Sequence, residues 1–146
     1  MATNEQEILH ALQDDIVLRA ENLVRSLKVD KNQGVDLGKT QASKALEVVQ
    51  SAGALSVFIN WLRYQAGRES SAVFWTKPTG SRPTLAQALT DELRWLQSQV
   101  TQRMPQASKA EQQRVVMRAA TRFMGYFRRA LVGAGYLDQI AFDKGG

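Results

Sequence analysis

The sequence contains no cysteine, a single histidine and only three prolines among its 146 residues. Without cysteine, the chain has no disulfide, thiolate zinc site, iron–sulfur cluster or cysteine nucleophile. The lone histidine, His10, leaves little scope for a multi-histidine metal site or for imidazole catalysis. No apolar run approaches the ~18 residues that span a bilayer, and the polar, acidic N-terminus is unlike a secretory signal. We therefore expect a cytoplasmic protein with no membrane partner, no metal and no cofactor.

The remaining pattern is helical throughout. Hydrophobic residues make up 44% of the chain and charged residues 23%, the balance of one ordinary globular domain. The prolines are confined to Pro78, Pro83 and Pro105, and no long segment alternates apolar and polar residues with the period of a strand. We predict an all-α fold, a single-domain helical bundle of about six helices over residues 1–146. Residues 136–146 would form a flexible or docking tail.

Capping signals and one change of hydrophobic face divide the chain into helices. Asn4, Thr84 and Ser108 are each followed three residues later by Glu or Gln, the capping-box pattern, which predicts three helix starts. A fourth helical segment runs from position 40 to about position 67. Its two apolar stripes differ by more than about 100° around the helix, so one straight helix cannot bury both. We therefore predict a break at Ser51–Gly53.

Charge is distributed unevenly along the chain. Residues 1–70 carry 8 basic and 9 acidic groups, whereas residues 71–146 carry 11 basic and 5 acidic groups. The excess is greatest between Arg103 and Arg129, where seven basic residues accompany one acid, Glu111. A basic half indicates an acidic partner, and nucleic acid is the first candidate. A solvated charged face without a ligand is the alternative interpretation.

The last predicted helix, which opens at Ser108 and runs to about Gly133, has two distinct faces. On a wheel of about 100° per residue its apolar residues share one side and five arginines share the other. None of these arginines has a carboxylate four residues away, the pairing that usually accounts for charge on a helix. Guanidinium groups repeated at each turn suit phosphate oxygens, because the planar fork donates two hydrogen bonds at once.

Two stretches, Lys39–Leu62 and Met117–Val132, are together similar to the small helical subunit of CRISPR type III-B (Cmr) RNA-targeting effector complexes. The first resembles that family's helix, its glycine break and the apolar helix that follows. The second resembles its C-terminal Arg-Ala-Thr helix with aromatic and basic residues. The order of elements, the length and the tryptophan before a loop also agree. A small subunit of another type III or type I complex is the related possibility.

The resemblance implies a non-catalytic subunit of a complex that serves antiviral defence. Copies would stack side by side as a minor filament and contact other subunits of the complex. The basic face would touch the phosphate backbone of the guide RNA and target RNA, independently of base sequence, as a guide-programmed complex requires. The central contacts would be Arg118, Arg122 and Arg129, with Arg114, Arg128 and Lys44 at the margins.

Functions of other classes stay open beside this one. A helical DNA-binding regulator would read bases near the start of a recognition helix, where Gln112 and Gln113 are the only candidates. A protein-assembly module would set the arginines against acidic protein surfaces. An enzyme has little support, because the chain lacks a nucleotide-binding glycine loop and His10 with Asp14 make an incomplete metal or proton-transfer site. We predict a non-enzyme.

Overall fold

The fold is a bundle of α-helices, seen in a computed structural model that describes residues 4–27, 35–80 and 82–142. The only β pairing in these ranges is an isolated bridge between Thr79 and Arg82. The prediction of an all-α, single-domain bundle of about six helices is confirmed. The elements are α1 (Glu5–Ser26), α2 (Val35–Ser51), α3 (Leu55–Gly67), α4 (Glu69–Trp75), α5 (Leu85–Arg103), α6 (Lys109–Val132) and a 3₁₀ turn (Ala134–Tyr136).

The three predicted helix starts are capped as the sequence indicates. In each one, the side chain of the cap residue accepts a hydrogen bond from the backbone amide three residues later. The donor–acceptor distance is 2.8 Å for Asn4 and 3.1 Å for both Thr84 and Ser108. These bonds satisfy amides that the first turn of a helix leaves without a partner. Local sequence therefore determines where α1, α5 and α6 begin.

The predicted break between the second and third helices is confirmed. α2 ends at Ser51 and α3 begins at Leu55. Between them, Gly53 adopts a φ of +75°, in the left-handed region that favours glycine. The turn lets the two apolar stripes of this segment face different neighbours.

The helical segment that was predicted to begin at position 40 begins five residues earlier, because α2 starts at Val35. The prediction of its start was therefore wrong. The helix passes through Gly38, which is buried against Phe74. A Cβ atom at this position would lie 3.1 Å from Cε1 of the phenylalanine ring, which is tighter than ordinary contact. This glycine therefore permits close packing of α2 on α4 inside a helix.

α6 is the central helix, and α1, α2 and α5 all pack against it. Counted from Arg114 at 0°, the apolar residues expected to be buried occupy about 140–280° of the helix, whereas the buried residues Val115 and Met117 lie at about 100° and 300°. The buried arc is wider than predicted because neighbouring helices cover α6 from several directions. The arginine side of the helix is left to solvent.

α1 runs parallel to α6, and α2 runs antiparallel to it. Glu5 at the start of α1 contacts Arg118, whereas Arg25 near its end bonds to Asp138, beyond the end of α6. Ser43, at the midpoint of α2, bonds to Arg128 in the last turns of α6, whereas Gly53, just after α2, accepts a hydrogen bond from Gln113 near the start of α6. The end of α2 and the start of α1 therefore meet the same part of α6.

Aromatic residues fill much of the core. Trp75 is fully buried, and its indole Nε1 donates a hydrogen bond to Oε1 of buried Gln41 at 3.0 Å. Its ring meets Phe74 and Trp61 edge to face, with centroids 4.8 and 5.9 Å apart. This cluster joins α2, α3 and α4. Trp95 is only partly buried, and the fully buried aromatic residues are Phe58, Phe74, Trp75, Phe123 and Phe127.

The segment after α6 is docked at its beginning and exposed further on. Arg25 Nε donates to Asp138 at 3.2 Å and its Nη2 donates to the carbonyl of Leu137 at 3.3 Å. The side chains of Ile140 and Phe142 are exposed. The predicted tail over 136–146 is thus anchored to α1 at its start, and its last four positions lie outside the described residues. None of the described helices has the length and apolar character needed to cross a membrane.

Candidate nucleic-acid interface

The five arginines of α6 lie exposed on one side of the helix, as the sequence predicts. From the first to the last of them the helix rises about 22 Å, at ~1.5 Å per residue. We refer to this surface as the arginine face, and its members are Arg114, Arg118, Arg122, Arg128 and Arg129.

A groove borders the first half of the arginine face, between the start of α1 and the end of α2. We call it the α6 groove. It consists of two adjoining depressions of about 270 and 340 Å³ that share Gln50, Arg118 and Thr121 in their walls. Arg114 lines the first depression and Arg122 lines the second. Three of the arginines predicted from sequence are therefore brought to one concave surface.

One carboxylate enters the α6 groove and pairs with an arginine. Glu5 of α1 binds Arg118 through Oε2 and Nη1, 2.5 Å apart. Its second carboxylate oxygen is buried, with no hydrogen-bond partner among the described residues. The two residues are 113 positions apart, so the charge pattern within α6 gave no sign of this pairing. Among the described lining residues, three guanidinium groups face this single carboxylate.

The last two arginines of the face diverge towards different neighbours. Arg128 Nε donates to Oγ of Ser43 on α2 at 2.8 Å. The guanidinium carbon of Arg129 lies 5.9 Å from the centroid of the Tyr126 ring, at the outer limit of a cation–π contact. Both side chains stay exposed, and the bond to Ser43 uses one of the five N–H groups that a guanidinium carries.

Lys44 does not join the arginine face, although it was predicted at its margin. It is exposed on α2, directly after the Ser43 residue that binds Arg128. Successive helical residues point about 100° apart, so Lys44 is directed away from that contact. It does not line the α6 groove.

Three uncharged polar residues of the groove carry no recognisable signal in the sequence. Gln6 and Gln50 flank it from α1 and α2, and Thr121 lies in its wall. Isolated glutamines on a helix carry no distinctive spacing, so only the pairing of α1 and α2 across α6 reveals them. The described lining contains no aromatic side chain, so the groove offers no platform on which bases would stack.

The glutamines named for base readout bond to the main chain of neighbouring segments, although Gln113 also lines the first depression of the α6 groove. The side-chain amide of Gln112 donates to the carbonyl of Met104 at 3.0 Å, and that of Gln113 donates to the carbonyl of Gly53 at 2.9 Å. His10 is exposed on α1 with Asp14 one turn along. Within the described ranges, no group of three or more His, Asp or Glu side chains is arranged to hold a metal ion.

A larger depression of about 460 Å³ lies between α1, the loop after α4 and α5, and each arginine in its described lining pairs with a carboxylate. Arg19 pairs with Glu92 and Arg82 pairs with Asp91, each at 2.8 Å. The hydrogen bond to Asp91 raises the pKa of the Arg82 guanidinium. In the described lining of the α6 groove, by contrast, three arginines accompany one carboxylate, Glu5.

No model of a protein family matches the chain, and neither a curated protein nor a solved structure shows significant similarity to it.

Proposed function

We propose that this chain is a non-catalytic RNA-contacting subunit of a CRISPR RNA-guided effector complex. Its arginine face would hold the phosphate backbone of the guide or target RNA without reading the bases. One observation carries the proposal: five exposed arginines line one face of the central helix, and three of them enter a groove whose described lining contains one carboxylate.

The spacing and chemistry of the arginine face suit an extended polyanion. Each guanidinium is a planar fork that donates paired hydrogen bonds to phosphate oxygens. The face extends about 22 Å along α6, which is long enough to meet several phosphates, since one strand of a duplex presents a phosphate about every 3.4 Å of axis. A small anion would engage only one or two of these arginines.

Contact with the backbone is favoured over readout of bases. The α6 groove has no aromatic side chain among its described lining residues, so stacking of bases is not expected there. Gln112 and Gln113, the candidates for base readout, both donate to main-chain carbonyls of neighbouring segments. These bonds weigh against a sequence-specific DNA regulator.

The resemblance to the small subunit falls on the elements that build the proposed interface. The stretch Met117–Val132 covers most of the arginine face, and Lys39–Leu62 covers the α2 wall of the groove and the turn after it. For stacking against other copies or subunits, α3 and α4 offer exposed apolar side chains. These are Val57, Tyr64 and Val73.

The experiment that tests the proposal is a salt titration of RNA binding. We expect a plot of log Kd against log salt concentration to rise with a slope of about 3. Four phosphate contacts are expected, and the counterions released by each contact contribute roughly 0.7–0.9 to the slope. The affinity would then fall roughly 60-fold between about 50 and about 200 mM salt. Two duplexes of unrelated sequence are expected to bind equally. A strong preference for one DNA sequence would instead support the regulator, and an absence of binding at low salt would contradict the proposal.

Removal of the groove carboxylate is expected to strengthen RNA binding. Glu5→Gln releases Arg118 for a phosphate and deletes a negative charge from the groove, so we expect a Kd about fivefold lower and a salt slope larger by about 0.8. Glu7→Gln is the matched control, because it removes the same charge from the first turn of α1 but does not line the groove. Equal gains in the two variants would show that net charge alone is responsible.

A further inference from the structure

Gly125 lies inside the second half of α6, where glycine weakens a helix relative to alanine. Its backbone is not in the left-handed region, and a Cβ atom placed on it meets nothing within 4 Å. Gly38, by contrast, is in a helix where a Cβ atom would press against the Phe74 ring. Neither backbone conformation nor internal packing therefore requires a glycine at position 125.

Gly125 leaves part of the surface of α6 without a side chain, which we call the bare patch, and arginines border it. Residues three, four and seven positions away are its neighbours on the helix surface. Four of these six positions are arginines: Arg118, Arg122, Arg128 and Arg129. The other two are exposed Val132 and Thr121, whose hydroxyl donates to the carbonyl of Met117 at 2.8 Å.

We infer that Gly125 is the point where the sugar–phosphate backbone of RNA approaches α6 most closely. This inference rests on the proposed function and locates its main contact. Without a side chain at position 125, a strand can lie against the helix itself. Guanidinium groups on both sides then reach the same phosphate oxygens. A side chain here would hold the strand away and lengthen these bonds, even though it would fit the folded protein.

Two substitutions separate this role from stability. Gly125→Ala is expected to raise Tm by about 2–4 °C, since alanine favours the helix, and to weaken RNA binding slightly. Gly125→Leu is expected to raise Kd for an RNA duplex of about 20 base pairs by about fivefold, the loss of roughly one phosphate contact. A better-folded protein that binds less well is the result expected only if the bare patch meets the ligand.

Substitutions at other sites provide the control and separate the possible outcomes. Ala11→Leu places the same side chain on the exposed face of α1, outside the α6 groove, and is expected to leave Kd unchanged. If Gly125→Leu binds like the wild type while Arg122→Glu/Arg129→Glu abolishes binding, the inference is wrong and the proposed function stands. If the wild type binds no RNA at low salt, both are wrong.

Discussion

The double variant Arg122→Glu/Arg129→Glu is expected to bind RNA at least about 100-fold more weakly than the wild type, a loss of roughly 3 kcal/mol. Each reversal removes a phosphate contact and adds a charge that repels the backbone. Both side chains are exposed, so the substitutions leave the core intact. The measurement is Kd for an RNA duplex at about 50 mM salt, after circular dichroism has verified the helical content.

Arg118 is left out of this variant for a structural reason. A glutamate at that position would face Glu5 across the contact that is now an ion pair, and two carboxylates there would repel each other. A loss of binding would then be confused with damage to the packing of α1. Charge reversal at Arg122 and Arg129 avoids that ambiguity.

The matched control is Arg63→Glu/Arg94→Glu, which changes the net charge by the same amount on α3 and α5. Both positions are exposed and lie outside the α6 groove. We expect this control to bind within about threefold of the wild type, through the long-range field alone. An equal loss in both variants would contradict a defined contact surface. Unchanged binding in both would indicate that RNA contacts another part of the chain.

Trp75→Ala is expected to lower the free energy of unfolding by about 4–5 kcal/mol. The side chain is fully buried where α2, α3 and α4 meet, so its removal leaves a large cavity that the surrounding rings cannot fill. It also deprives Oε1 of Gln41 of its indole donor. Because domains of this size are stable by only about 5–15 kcal/mol, much of the margin would be lost. Urea unfolding followed by circular dichroism measures the difference.

Trp75→Phe separates the packing contribution from the hydrogen bond. Phenylalanine keeps most of the apolar volume but removes the Nε1 donor, so we expect a smaller loss of about 1–3 kcal/mol. A loss below about 2 kcal/mol for Trp75→Ala would be inconsistent with a fully enclosed side chain. RNA binding by the folded fraction of either variant should be unchanged, because the cluster does not line the α6 groove.

Signals that act within a few residues allowed much of the fold to be predicted. The caps at Asn4, Thr84 and Ser108 and the glycine turn after Ser51 depend on neighbouring backbone groups, so their consequences are local. The predicted start of α2 was wrong because the glycine inside this helix is explained by a contact with another element, which local sequence does not reveal. Gly38 lies within the helix to fit against Phe74, a residue from another element.

The arginine face was predictable for the same reason, whereas the groove was not. Periodicity of about 3.6 residues places the five arginines on one side of α6 without any knowledge of neighbours. The α6 groove needs the start of α1 and the end of α2 to lie beside the same helix. The Glu5–Arg118 pair and the exclusion of Lys44 follow from that arrangement. No pattern within a single helix encodes it.

The central position of α6 has a consequence for the synthesis of the chain. α1 and α2 pack mainly on a helix that leaves the ribosome after every other described helix. Until α6 emerges, α1 and α2 lack the helix that covers most of their apolar stripes, so the nascent chain cannot complete its core and depends on late, long-range contacts. A product truncated before Ser108 would therefore be a substrate for chaperones and proteases, and RNA would meet only copies that contain α6.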